Sequence, residues 1–178
     1  MYPVSEDSVF FAEFLKKYFA KLTKQEKSKL KYLDMGTGSG ILSETAISSG
    51  INKDNILAID INKESVKFVK NKLKINTKQS NLFSKITKKP KYSLITFNAP
   101  YLPEHKYDKQ KDTTGGKLGD EVSLKFIKQA KSHLAKQGKI FLLISSLTPI
   151  NRINKTKPKP IIIAENKLFM ETLLILEF

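Results

Sequence analysis

The sequence predicts an α/β fold: a mostly parallel sheet with helices on both faces, finished by an antiparallel strand pair. Two observations carry this. Short apolar or β-branched runs alternate with stretches of helical period as far as Leu147, with glycines or capping residues at the joins. Two β-rich runs then follow each other directly at the C-terminus. Alternation calls for crossover connections and so for parallel strands, which are buried on both faces and read as continuous apolar runs. "NILAID" and "YSLITF" are such runs.

Residues 8–22 place Phe10, Phe11, Phe14, Leu15, Tyr18, Phe19 and Leu22 on one helical stripe, with Ser5 and Asp7 ahead of it as caps. "KYLDMGTGSG" reads as a first strand ending at Asp34 and a glycine turn, and "ILSETAISSG" as a helix stopped by Gly50. Residues 55–60 form the second strand. Asn62 then caps a helix whose inward residues are Val66, Phe68, Val69 and Leu73. A third strand falls near 74–80 and a fourth at 92–97. The polar stretch 104–119 is a loop in which Gly115 and Gly116 suit either a closing lid or a flexible connection. Asp120 opens a helix with Val122, Phe126, Ile127, Ala130 and Leu134 inward and Gly138 at its end. "KIFLLISSL" is the fifth strand and "NRINKTKPKP" a basic connector. "IIIAENKLFMETLLILEF" reads as two strands joined by a tight polar turn around Glu165–Lys167.

The 178 residues, 40% of them hydrophobic, suit one domain spanning 1–178, with residues 1–30 as an N-terminal helical segment. No apolar run approaches the ~20 residues that span a bilayer. The N-terminus has no basic region ahead of an apolar core, so a cytoplasmic protein with no membrane partner is expected. Cysteine is absent, which excludes disulfides, cysteine-ligated zinc and thiol nucleophiles. The formal charge is +15, and Arg152 is the only arginine. Lysine supplies point charges rather than the fork that reads base edges, so such a surface attracts nucleic acid diffusely. Lysine-biased composition is the plainer reading. His105 and His133 stand alone and are expected at the polar surface, and no metal site is expected.

Gly36, Gly38 and Gly40 form G-x-G-x-G directly after the first strand. The spacing departs from the dinucleotide fingerprint, whose helix N-terminus takes a pyrophosphate. Asp34 just before the turn would repel a pyrophosphate but suits an ammonium, which disfavours a nicotinamide dehydrogenase. Asp60 ends the second strand, where an acidic side chain accepts ribose hydroxyls. A ligand with an ammonium, a carboxylate and a ribose fits S-adenosylmethionine.

The fourth strand runs into Asn98, Ala99, Pro100 and Tyr101. Amide and exocyclic amino nitrogens are poor nucleophiles because the lone pair is spread into a π-system. Acceptors that bind their N–H groups raise electron density and fix the approach direction. The Asn98 side-chain oxygen and the Ala99 carbonyl are such acceptors. Pro100 restricts the turn, and Tyr101 offers a stacking platform for a flat amide or base.

Together "DMGTGSG", "AID" and "FNAPY" resemble a class I, Rossmann-like methyltransferase whose fourth strand ends in an N-P-P-Y type of motif, with Ala99 in place of the second residue. The resemblance implies a seven-stranded sheet with its last strand antiparallel. "MYPVSEDSVFFAEFL" resembles the Y-x-P-x-E-D-[ST] signature of the archaeal and eukaryotic branch of HemK-like enzymes, and "TTGGKLGDEV" its G-G-x-x-G-x-E-V segment. By that match residues 1–30 pack on the cofactor side, with Asp7 and Ser8 beside the cofactor. Asp34, Gly36, Gly38, Gly40, Asp60, Ile61, Asn81, Leu82 and Asn98 complete the cofactor set. Asn81 stands where the family often has an acidic residue on the adenine amino group, with Leu82 against the ring. The first glycine of the turn comes too early for the helical N-terminal domain of the bacterial enzymes. The implied reaction is methylation of the glutamine amide in the Gly-Gly-Gln loop of a peptide-chain release factor, with a small zinc-containing activator protein as partner. Two rivals stand beside it: methylation of an exocyclic amino group of RNA or DNA, and a non-catalytic scaffold keeping the fold.

Overall fold

The computed structural model describes residues 5–103 and 114–178. Its first helix, α1 (Glu6–Ala20), buries Phe11, Leu15 and Phe19 completely, as the stripe predicts. A short helix α2 (Lys24–Lys29) follows. The chain then alternates through β1 (Tyr32–Met35), α3 (Ile41–Ser48), β2 (Ile56–Asp60), α4 (Lys63–Leu73), β3 (Asn76–Gln79) and β4 (Tyr92–Asn98). Next come the short strands β5 (Leu102–Pro103) and β6 (Thr114–Gly116), helix α5 (Glu121–Ala130), β7 (Leu134–Ser145), α6 (Ile150–Ile153), β8 (Ile161–Lys167) and β9 (Thr172–Glu177).

Seven strands form one sheet in the order β3-β2-β1-β4-β7-β9-β8. The β1–β2, β2–β3, β1–β4 and β4–β7 pairs are parallel, and β9 runs antiparallel to both neighbours. Alternate strand residues feed two cores. Tyr32, Leu94, Phe141 and Ile175 face α1, α3 and α4. Leu33, Ile95, Leu142 and Leu176 face α5, α6 and the segment after β3. The chain works outward from β1 to β3, then returns to the other side of β1 as β4. That reversal leaves a crevice at the carboxyl ends of β1 and β4, where open α/β sheets bind ligands.

The seven-stranded, mostly parallel sheet agrees with the predicted fold class, and several local expectations need correction. Helix α2 was not anticipated, although Thr23 and Glu26 form a capping box: Thr23 Oγ1 accepts from the Glu26 N–H at 3.2 Å and Glu26 Oε2 from the Thr23 N–H at 2.7 Å. Phe68 stays 39% exposed, while Val69 and Leu73 turn inward. Helix α5 stops at Ala130, and Gly138 lies inside β7 rather than at a helix end. There the pairing with β4 slips between Tyr92 and Leu94, and a Cβ at Gly138 would stand 2.8 Å from the Tyr92 carbonyl oxygen. The C-terminal turn falls at Leu168–Glu171, later than predicted, because Glu165–Lys167 sit in edge strand β8, where polar side chains reach solvent. His133 is buried, not superficial: its ring stacks on Phe83 at 4.4 Å. Most of the predicted 104–119 loop, His105 included, lies outside the described residues.

Candidate active site

A cavity of about 380 Å³ opens at the carboxyl ends of β1, β2 and β4. Its walls are the glycine turn, residues 60–62, residues 80–82 and residues 97–102, with Asp7 and Ser8 from the first turn of α1. Thr114, Gly116 and Val122 close one side. Gly115 allows this side to approach: a Cβ there would lie 2.6 Å from the Pro100 carbonyl oxygen. Gly115 thus serves tight backbone contact with the 98–101 turn, whereas a Cβ at Gly116 would meet the Glu121 side chain, 2.5 Å from its Oε2.

The three carboxylates at the site are held differently. Asp34 is fully buried behind the glycine turn and is not among the lining residues. Its Oδ2 accepts from Thr37 Oγ1 at 2.7 Å and Ser43 Oγ at 2.6 Å, while Oδ1 has no hydrogen-bond partner among the described residues. Burial pushes its carboxyl up to about 6 against the pull of those two hydroxyls. Asp60 lies in the cavity wall, where Oδ2 accepts from the Gly38 N–H and Oδ1 from the Asn62 N–H, each at 2.8 Å. The second carboxylate thereby fixes the glycine turn onto the end of β2. Asp7, 6% exposed, accepts from the Ser8 N–H at 2.5 Å and also bonds Ser5 Oγ.

Asn98 ends β4 and spans the gap to α1. Its Nδ2 donates to Asp7 Oδ2 at 3.1 Å and to Ser8 Oγ at 3.3 Å. Its Oδ1 is buried and has no hydrogen-bond partner among the described residues. Ala99 is buried beside it, and Tyr101 lines the cavity while packing against the α1-side core. Gly40 is the exception among the glycines: with φ of +80° it starts α3 away from the cavity, and a Cβ would stand 3.0 Å from Val69 Cγ2 of α4. It serves helix packing.

The sequence model of the methyltransferase small domain family matches residues 12–169. The chain belongs to that family. As a methyltransferase it uses S-adenosylmethionine as methyl donor. One relative, from Methanocaldococcus jannaschii, carries the provisional name protein N5-glutamine methyltransferase; it is 36% identical over 137 residues, which are 71% of this chain and 68% of that one. A release factor glutamine methyltransferase from Fusobacterium nucleatum is 34% identical over 90 residues, covering 47% of this chain and 25% of its own. The chain thus spans about two thirds of one curated relative and a quarter of the other. Among solved structures, the ribosomal protein L11 methylase of Lactobacillus delbrueckii superposes with a TM-score of 0.68 at 22% identity, covering 98% of this chain and 79% of that one. That likeness concerns the fold.

The cavity suits the methyl donor on two structural counts. Its volume lies within the range of small-ligand sites, about 300–1,000 Å³, and its wall holds an oriented carboxylate, Asp60, at the strand end that takes a ribose. Of the residues singled out in the sequence, the structure brings Ser8, Gly36, Gly38, Asp60, Ile61, Asn81, Leu82 and Asn98–Tyr101 to the cavity. Asp34 and Gly40 are not among its lining residues. Leu82 takes a left-handed φ of +49°, which turns the segment after β3 into the site. The contact between Asp7 and Asn98, 91 residues apart, was not readable from either local motif. Glu121 was also missed; its carboxylate accepts from the Leu118 N–H at 3.2 Å and braces the loop before α5. The resemblance to a G-x-E-V segment was its only signal.

Proposed function

We propose that this methyltransferase methylates the side-chain amide nitrogen of a protein glutamine, the one in the Gly-Gly-Gln loop of a peptide-chain release factor. The observation that carries the reading is that Asn98 lines the cavity and that its Oδ1 has no hydrogen-bond partner among the described residues. An unmet buried acceptor costs about 1–3 kcal/mol, and an N–H of the nucleophile would meet it. The names of the two curated relatives support glutamine as the class of acceptor.

Bound S-adenosylmethionine supplies a sulfonium methyl for in-line attack. Asp60 would hold the ribose hydroxyls, Asn81 and Leu82 the adenine, and Ser8, Gly36, Gly38 and Ile61 would complete the cradle. Asp34 acts from behind, keeping the glycine turn in place through Thr37 and Ser43. The Asn98 Oδ1 and the Ala99 carbonyl accept the two N–H groups of the glutamine amide, fixing its plane and supporting the positive charge that develops on nitrogen. Pro100 keeps the turn rigid and Tyr101 stacks on the amide. No general base is required, because methylation makes the nitrogen acidic and its proton leaves to water. Residues 1–178 act as a single domain in the cytoplasm, with 1–30 packed on the cofactor side. A small zinc-containing activator subunit is a partner in this reading, tested by co-purification.

A second reading, methylation of an exocyclic amino group in nucleic acid, draws on an uneven charge distribution. From Val122 to Ala164 the chain has no acidic residue, and Lys125, Lys128, Lys155, Lys157 and Lys159 are exposed. The deciding experiment is labelled methyl transfer to a release factor, to its Gln→Ala variant, and to total RNA and DNA. Label in the release factor that vanishes with Gln→Ala is the expected result. Label in nucleic acid but not in release factor would overturn the glutamine reading.

A further inference from the structure

An amide has a donor end and an acceptor end, and exchanging them costs nothing sterically. At Asn98 the choice decides what the cavity can bind. With Oδ1 inward the site takes a nucleophile that brings N–H groups. With Nδ2 inward it would take acceptors and repel those same groups. Something must hold the amide one way round, because the orientation observed leaves Oδ1 buried without a partner among the described residues.

Asp7 does this. An ionised carboxylate only accepts hydrogen bonds, so it tolerates nitrogen and rejects oxygen at the position facing it. Asp7 Oδ2 receives Asn98 Nδ2 at 3.1 Å. Ser8 Oγ, 3.3 Å from the same nitrogen, is indifferent, since a hydroxyl accepts or donates as required. Asp7 is itself fixed: its other oxygen, Oδ1, takes the Ser8 N–H at 2.5 Å and Ser8 Oγ at 3.2 Å. The helix that presents it is anchored by the fully buried Phe11, Leu15 and Phe19. The carboxylate cannot swing away without disturbing the first turn of α1.

We infer that Asp7 is a positioning residue of the methyl-transfer site: its contact with Asn98 Nδ2 turns Asn98 Oδ1 toward the cavity and so selects nucleophiles that carry N–H groups. The inference rests on the reading of Asn98 as the acceptor for the nucleophile. It gives the N-terminal segment a part in acceptor selection, beyond lying beside the cofactor.

The test uses the full chain with a release-factor domain bearing the Gly-Gly-Gln loop. Cofactor affinity is measured separately by calorimetry, and folding by thermal melting. Asp7→Asn keeps the shape but lets the pair settle with either amide end inward. It should lower kcat at least ~10-fold, as for loss of an oriented acceptor, with S-adenosylmethionine affinity within about 3-fold of the parent, a split that separates positioning from cofactor binding. In ¹⁵N spectra the Asn98 side-chain NH2 signals should lose the downfield shift that a carboxylate partner imposes. The exchange Asp7→Asn with Asn98→Asp restores a donor–acceptor pair and keeps an acceptor toward the cavity whichever way position 98 faces. It should recover most of the lost kcat.

Normal turnover in Asp7→Asn alongside a dead Asn98→Ala would overturn this inference and leave the role of Asn98 standing. An equal loss of kcat and cofactor affinity, or an exchange variant no better than Asp7→Asn alone, would also overturn it. Near-normal turnover in Asn98→Ala would instead remove the proposed role of Asn98 itself.

Discussion

The cavity has two halves that handle unmet hydrogen bonding in opposite ways. At the ends of β1 and β2 stand carboxylates, and at the end of β4 stands an amide. Asp34 and Asn98 each keep one buried oxygen without a partner among the described residues. Asp34 has an escape: burial raises its carboxyl to about 6, so a proton relieves the strain of an isolated charge. Asn98 cannot titrate. In the proposed reading its Oδ1 is met by a donor that the substrate brings, so the orphan oxygen of the amide is the better sign of a ligand. The carboxylate half is a scaffold fastened by the protein's own N–H and O–H groups, and in the proposed reading the amide half reserves an acceptor.

The sharpest way to break that contrast is Asn98→Ala. Turnover should fall at least ~100-fold, while S-adenosylmethionine affinity, measured by calorimetry, stays close to the parent. Retained turnover would mean that the reserved acceptor is not used.

Asp34 should declare itself through pH rather than through turnover. Its carboxyl titrates higher in the folded chain than in the unfolded one, where it sits in the ordinary aspartate range. The folded state therefore binds more protons between about pH 4 and pH 6, and this residue's contribution to stability is lost as pH rises through that window. The full difference is on the order of 3 kcal/mol. Relative to the parent, Asp34→Asn should gain stability as pH rises from 4 to 6, read from urea midpoints at several pH values. Parallel curves for parent and variant would show that Asp34 does not titrate there.

Asp60→Ala tests the scaffold where it meets the cavity. It removes the acceptor of the Gly38 and Asn62 N–H groups and the expected ribose contact. Cofactor affinity should drop about 10- to 100-fold, matching the loss of about 1.5–3 kcal/mol for hydrogen bonds to a charged group. At saturating cofactor kcat should change little. A fall in kcat with unchanged affinity would move Asp60 into the amide half.

The parts of this arrangement that were legible in the sequence are those set by local chemistry. Strands ending at Asp60 and Asn98 follow from buried apolar runs that stop at a polar residue, the first strand runs one residue past Asp34 to Met35, and alternation places those ends along one edge of the sheet. What escaped depends on partners far along the chain. His133 is buried because Phe83, 50 positions earlier, offers a ring to stack on. Gly138 looked like a helix stop, yet it answers to the Tyr92 carbonyl. The C-terminal turn misled through hydrophobicity: Phe169 and Met170 sit at its tip, 100% and 78% exposed, while the polar Glu165–Lys167 remain in the strand. Helix α2 is different, since its Thr23-x-x-Glu26 signal was local and readable.

The smallest effect concerns the third glycine, which the sequence grouped with the cofactor turn and the structure places with the scaffold. Gly40 has φ of +80°, and an added Cβ would press on Val69 Cγ2 at 3.0 Å and Leu73 Cδ1 at 3.3 Å. A left-handed non-glycine residue costs about 1–2 kcal/mol, and at this chain length each kcal/mol lowers Tm by about 2–4 °C. Gly40→Ala should therefore lower Tm by about 2–8 °C, while cofactor affinity, measured well below the transition, stays near the parent. An unchanged Tm with weakened binding would return Gly40 to the cavity half and make all three glycines ligand residues.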